Sequence, residues 1–167
     1  MKSSSTSPLS CSRVRFTAII VAAVVSVLCD QISKYYLLFE VGLIDGPPVT
    51  LTSFFNLVMV WNRGVSFGMF SGWDAKWMLA ALSGVICCTL LIWSRTFDRA
   101  KLICTGAIIG GAVGNVIDRF VYGAVADFFD VHVAGYHWPA FNVADMCIVC
   151  GVLMLLWLEM RTKPEKS

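Results

Sequence analysis

The chain has 167 residues, 57% of them hydrophobic and 14% charged, with a mean hydropathy of +0.74 and a formal charge of +2. That length suits one domain, and the composition is too apolar for a water-soluble globule, so an integral membrane protein is expected. The small net charge excludes an electrostatic nucleic-acid binder and leaves the distribution of charge as the informative quantity.

Residues 1–12, "MKSSSTSPLSCS", are Ser-rich and polar and are expected to be a disordered tail. A first span runs from Phe16 to about Phe39, interrupted by Asp30 and Lys34. Arg13 and Arg15 ahead of this run look like the start of a signal peptide, but Leu28, not a small residue, precedes Cys29. The apolar character also continues to Phe39, so the segment is read as a retained span. In the 40–76 segment, "VTLTSFFNLVMVWN" is rich in β-branched and aromatic residues and predicts one or two short strands, bracketed by the turn signals "GPP" and "NRG". "VSFGMFSGWDAKW" then predicts a loop or short interfacial helix, with Phe67, Phe70, Trp73 and Trp77 suited to a headgroup zone. A second span covers Trp77 to Ser94, a Gly/Ala-rich third covers Leu102 to Ile117, and a fourth runs from about Phe141 to Leu158. The run Gly-Gly-Ala-Val-Gly at 110–114 permits close helix approach in lipid, and a compact four-helix arrangement follows. Residues 161–167 form a short tail.

Nine Lys and Arg lie at one set of span ends: Lys2, Arg13, Arg15, Arg95, Arg99, Lys101, Arg161, Lys163 and Lys166. With alternating helices these share one side, so both termini are expected in the cytoplasm and the 40–76 and 118–140 segments outside it. Six of the seven cysteines, including the Cys147/Cys150 pair, lie in or beside apolar helices and are expected to pack rather than to bond or bind metal. His132 and His137 share an outer loop, where a zinc site is conceivable but a plain loop role is the expectation.

Ionisable groups in apolar spans cost roughly 2.5–3.5 kcal/mol at mid-helix and need a reason. Asp30 and Lys34 are one helical turn apart and can pair, either to neutralise each other or to order a site. Asn115, Asp118 and Arg119 form a polar patch closing the third span, readable as a local salt bridge or as a substrate clamp. Asn142 and Asp145 resemble a capping box opening the fourth span. Asp127 lies in the outer loop a short connection away from Asp145. Two neighbouring carboxylates can share a proton, one acting as acid while the other deprotonates water. The residues alone leave open a binding or assembly subunit held by structural ion pairs, and a proton-coupled transporter. No inverted repeat supports the latter.

Five blocks in order carry a resemblance over nearly the whole chain: "DQISK" at 30–34, "NRGVSFG" at 62–68, "GNVIDR" at 114–119, "GAVADF" at 123–128 and "FNVAD" at 141–145. Together they resemble lipoprotein signal peptidase, the bacterial aspartic endopeptidase of the inner membrane. The resemblance implies an all-α membrane fold of four transmembrane helices with a small periplasmic β-cradle and a short interfacial helix. It implies Asp127 and Asp145 as the catalytic dyad, supported by Asp30, Lys34, Asn62, Gly64, Asn115, Asp118, Arg119 and Asn142, with Asp130 left as a loop acid. Val65 and Ser66 stand where two alanines are more usual, which touches pocket shape rather than chemistry. The implied substrate is a diacylglyceryl-prolipoprotein, cut just before its lipid-bearing cysteine, in contact with membrane lipid. No cofactor, no metal and no nucleic acid are implied, and a monomer is expected.

Overall fold

The structure is a computed structural model and describes residues 8–64 and 73–161. Helix α1, Pro8–Tyr35, continues into a π-helical turn, Tyr36–Glu40. Residues 8–12, expected in a disordered tail, are therefore helical. Proline is tolerated in a first turn, and extending a formed helix costs far less than nucleating one. A hairpin of β1 (Val49–Thr52) and β2 (Phe55–Asn62) follows, matching the expected short strands. Helix α2 spans Trp73–Trp93, starting before the expected Trp77, and residues 65–72, which carry the rest of the expected interfacial helix, lie outside the described residues.

Helix α3, Arg99–Val121, opens on Asp98, whose side chain accepts the Lys101 N–H at 3.0 Å. It runs past the expected end at Ile117, so Asn115, Asp118 and Arg119 occupy its last two turns. The chain then forms β3 (Val125–Val133), β4 (Tyr136–His137) and α4 (Val143–Arg161). Four helices are long and apolar enough to cross a membrane. Half of α3's apolar stretch is buried within the protein, against 17% for α1 and α4 and 6% for α2, which makes α3 the central helix.

Glycine sets how closely α3 is approached. A Cβ on Gly110 would lie 2.4 Å from the Ala23 carbonyl oxygen of α1, and one on Gly111 2.4 Å from that of Ala144 in α4. Any side chain at either position would push a neighbouring helix outward.

The four helices and small sheet are as expected, but the sheet extends beyond residues 40–76. Residues 125–133, read as part of an outer loop, are the longest strand of a four-stranded antiparallel sheet of order β1-β2-β3-β4. Strand β3 pairs with β2 in the register Val60↔Asp127 and Asn62↔Val125. The first four residues of β3 are all buried, so the strand lacks the apolar/polar alternation of a one-sided sheet. Leu43, Leu57 and Phe128 form a core against Phe129 and Val143. Phe141 exchanges backbone hydrogen bonds with Phe129 at 2.9 and 3.2 Å, which returns the chain alongside β3 just before α4 begins.

Candidate active site

The sheet, the end of α3 and the start of α4 meet at one end of the bundle. Asn142 caps α4: its Oδ1 accepts the Asp145 N–H at 2.9 Å, and Asp145 Oδ2 accepts the Asn142 N–H at 3.3 Å. This is the reciprocal capping box that the sequence suggested. The cap does more than close a helix. Asn142 Nδ2 also donates to Asp127 Oδ1 at 2.7 Å, to Asn115 Oδ1 at 3.1 Å and to the Ala126 carbonyl at 3.2 Å. Asn115 Nδ2 in turn donates to Asp145 Oδ1 at 2.8 Å. Two asparagines thus hold both carboxylates in one network.

Asp127 is 1% exposed. Its Oδ2 accepts from Asn62 Nδ2 at 2.9 Å, a diagonal neighbour across the β2–β3 pair. Burial pushes its carboxyl up to about 6, and the nearby Asp145 charge adds to the rise. The hydrogen bonds from Asn62 and Asn142, and the Lys34 charge, oppose it without cancelling it.

Beneath this pair lies a buried ionic cluster. Lys34 Nζ contacts Asp30 Oδ2 at 2.7 Å and Asp118 Oδ2 at 2.8 Å, with all three residues at most 3% exposed. The Asp30–Lys34 pairing expected from spacing is present, and Asp118 completes it from another helix. Asp118 Oδ2 accepts the N–H of Ala126 at 3.1 Å, and Asp30 Oδ1 accepts that of Ala144 at 2.9 Å. Each acid therefore grips the residue just before one member of the Asp127/Asp145 pair. Gly114 makes room, since a Cβ there would sit 2.5 Å from Asp30 Oδ2.

The expected patch of Asn115, Asp118 and Arg119 divides by partner. Asp118 pairs with Lys34, while Arg119 Nη1 donates to the Asn115 carbonyl at 3.1 Å and is acted on electrostatically by Asp145, Asp118 and Asp127. Gly64, at φ +86°, donates its N–H to Asn62 Oδ1 at 2.8 Å, so one asparagine links the β2 end to Asp127. Val65 and Ser66 lie outside the described residues.

Sequence reasoning missed Gln31, whose Nε2 donates to Asp30 Oδ2 and Asp118 Oδ1, each at 3.1 Å. Its polarity inside an apolar span, beside Asp30, was the available signal. Asp130 is not a loop acid. It lies on β3, where His137 Nδ1 at 2.8 Å and Asn56 Nδ2 at 3.0 Å meet it and hold its carboxyl below the ordinary value. The His132 and His137 rings stack at 4.8 Å, and among the described residues no group of three His, Cys, Asp or Glu is placed to hold a metal ion. Cys104 is buried, as expected of a packing residue, whereas Cys29, Cys88 and Cys150 are free and exposed on helix faces.

This arrangement matches known proteins along most of the chain. Residues 22–161 match the family model described as signal peptidase (SPase) II. A lipoprotein signal peptidase of Nitrobacter hamburgensis is 46% identical over 156 residues, covering 89% of this chain and 95% of that protein. One from Anaplasma phagocytophilum is 41% identical over 88% of this chain and 94% of that protein. Two solved structures described as bacterial membrane enzymes superpose with TM-scores of 0.75 and 0.72 at 26% and 27% identity. They cover 88% and 90% of this chain, and 95% and 94% of theirs. The four apolar helices, the sheet set against their ends and these matches agree: the chain is a multi-pass membrane hydrolase that belongs to the signal peptidase II family.

Proposed function

We propose that the protein removes signal peptides from prolipoproteins, cutting just before the S-diacylglyceryl cysteine, with Asp127 and Asp145 as its catalytic dyad. The observation that carries this reading is the pair of carboxylates tied into one network by Asn115 and Asn142. Burial raises the Asp127 carboxyl, so the reading assigns the acid of the pair to Asp127 and the base to Asp145. Asp145 takes a proton from water as the water oxygen bonds to the scissile carbonyl carbon, and Asp127 gives its proton to the carbonyl oxygen. On collapse the C–N bond breaks, the leaving nitrogen takes the proton held by Asp145, and a hydroxyl returns one to Asp127. The side chains recharge without a cofactor.

Asn62, which donates to Asp127, Gly64, which donates to Asn62, and Arg119, which donates to the Asn115 carbonyl, are the groups that hold the substrate backbone, while Asp30, Lys34 and Asp118 fix the dyad from beneath. A substrate with a signal helix and two acyl chains stays in the bilayer, so a dyad at the helix ends suits it. The distribution of Lys and Arg supports both termini in the cytoplasm of a bacterial inner membrane, and the sheet and dyad near the periplasmic face. The enzyme works as a monomer.

The test is cleavage of a diacylglyceryl-modified prolipoprotein by the purified full chain in lipid, with Asp127→Asn and Asp145→Asn beside it. Each folded variant is expected to lose about 10²–10⁴-fold in kcat/KM. Normal cleavage by either variant removes that aspartate from the mechanism.

A further inference from the structure

At the end of the bundle away from the dyad, α1 and α3 leave a groove of about 590 Å³ between them. Ala18, Val21 and Val25 line one wall at successive turns of α1, and Ile103 and Ala107 the other on α3, with Arg99 at one end. Its volume lies within the about 300–1,000 Å³ typical of small-molecule sites. Ala107 is eleven residues before Asp118, about 16 Å along α3, and on α1 the lining ends at Ser26, one turn or about 6 Å before Asp30, so the groove stops short of the buried ionic cluster.

The shape and the charge select the same kind of ligand. The trough is mainly apolar, with the small hydroxyls of Thr17 and Ser26 as its polar points apart from Arg99, and it follows helices that cross the membrane, which suits one extended hydrocarbon chain. Its charged end is an exposed arginine absent from every ion pair among the described residues. Nearby, Arg15 is already engaged, donating to the carbonyls of Ser94 and Arg95 at 2.8 and 2.6 Å. Arg99 thus has its guanidinium available where a lipid headgroup would lie, in a geometry suited to phosphate.

We infer that this groove is a binding site for an anionic phospholipid, with one acyl chain between α1 and α3 and the headgroup phosphate on Arg99. Charge complementarity favours a lipid over a second copy of the chain, because the carboxylates at this end already have partners: Asp98 caps α3 and Glu159 pairs with Lys101. The site joins α1 to α3 at the end where the buried ionic cluster does not reach.

The full chain, purified in mild detergent, is offered phosphatidylglycerol or phosphatidylcholine of matched acyl chains, and retained lipid is counted by native mass spectrometry. The parent is expected to prefer phosphatidylglycerol about fivefold, the effect of one arginine near an anionic surface. Arg99→Gln, an exposed change, is expected to abolish the preference, and Ala107→Phe, which fills the trough, to reduce retention of both lipids. Equal retention of the two lipids by the parent overturns the proposal, as does an undiminished preference in Arg99→Gln. Cross-linking of Val21→Cys to a second copy in place of lipid retention also overturns it.

Discussion

Asp118 of α3 accepts the backbone N–H of Ala126, the residue that precedes Asp127 in β3. Asp30 of α1 does the same for Ala144, the residue that precedes Asp145 in α4. Lys34 lies between the two acids, so one ammonium group sets the position of both halves of the proposed dyad. Removing it exposes this dependence. Lys34→Met leaves two carboxylates buried without a cation and is expected to cost about 3–5 kcal/mol of stability, seen as a lower midpoint in thermal unfolding in detergent. An unchanged midpoint would show the cluster to be incidental.

The pH dependence follows from Asp127. A carboxyl raised to about 6 keeps its proton below that value and loses it as pH rises through it. If that proton reacts, kcat/KM falls about tenfold per pH unit above about 6. Asn62 donates to the charged form, so Asn62→Ala is expected to move this fall to higher pH, and a shift downward would contradict the assignment.

Linkage gives the same group a stability signature. Because its folded value is raised, Asp127 favours folding most below the ordinary carboxylate range, and that contribution is lost as pH rises through about 6. Asp127→Asn never charges. Its thermal midpoint relative to the parent is expected to rise between pH 5 and pH 8, which paired melting curves check directly.

Asn142 has two duties that a substitution can separate. Asp at this position still caps α4, since aspartate is as good an N-cap as asparagine, but it has no amide to donate to Asp127. Asn142→Asp is expected to stay folded and lose most of its turnover, whereas Asn142→Ala also loses about 1 kcal/mol of cap stability. Equal activity of Asn142→Asp and the parent would confine the residue to capping.

Two glycines form a matched pair. A Cβ at Gly114 meets Asp30 Oδ2 at 2.5 Å, while one at Gly84 in α2 meets nothing within 4 Å. Gly114→Ala is expected to cost about 1–3 kcal/mol by forcing Asp30 off Lys34. Gly84→Ala is expected to be neutral or mildly stabilising. Equal effects on the unfolding midpoint would remove the packing argument.

The apolar runs made the four helices legible, because length and composition alone define a span. The Asn142–Asp145 cap and the Asp30–Lys34 pair were legible for a related reason: both are local, three and four residues apart. Strand β3 was not. Its partner β2 is more than sixty residues earlier, and buried acids on both of its faces, Asp127 and Asp130, break the pattern that marks a strand. Nor could spacing show that Lys34 contacts Asp118, or that Gln31 bridges the same two acids, since those contacts form only when α1 and α3 are side by side. The family blocks named most of these residues without giving the geometry that joins them.

The shared ammonium also bears on how the protein is made. During synthesis α1 enters the bilayer long before α3 exists, and Lys34 can then be neutralised only by Asp30, on its own helix. Asp118 arrives later, on α3, and its contacts with Lys34 and with the N–H of Ala126 form only then. A chain that ends before α3 therefore has neither Asp118 nor the contact by which it holds the N–H of Ala126.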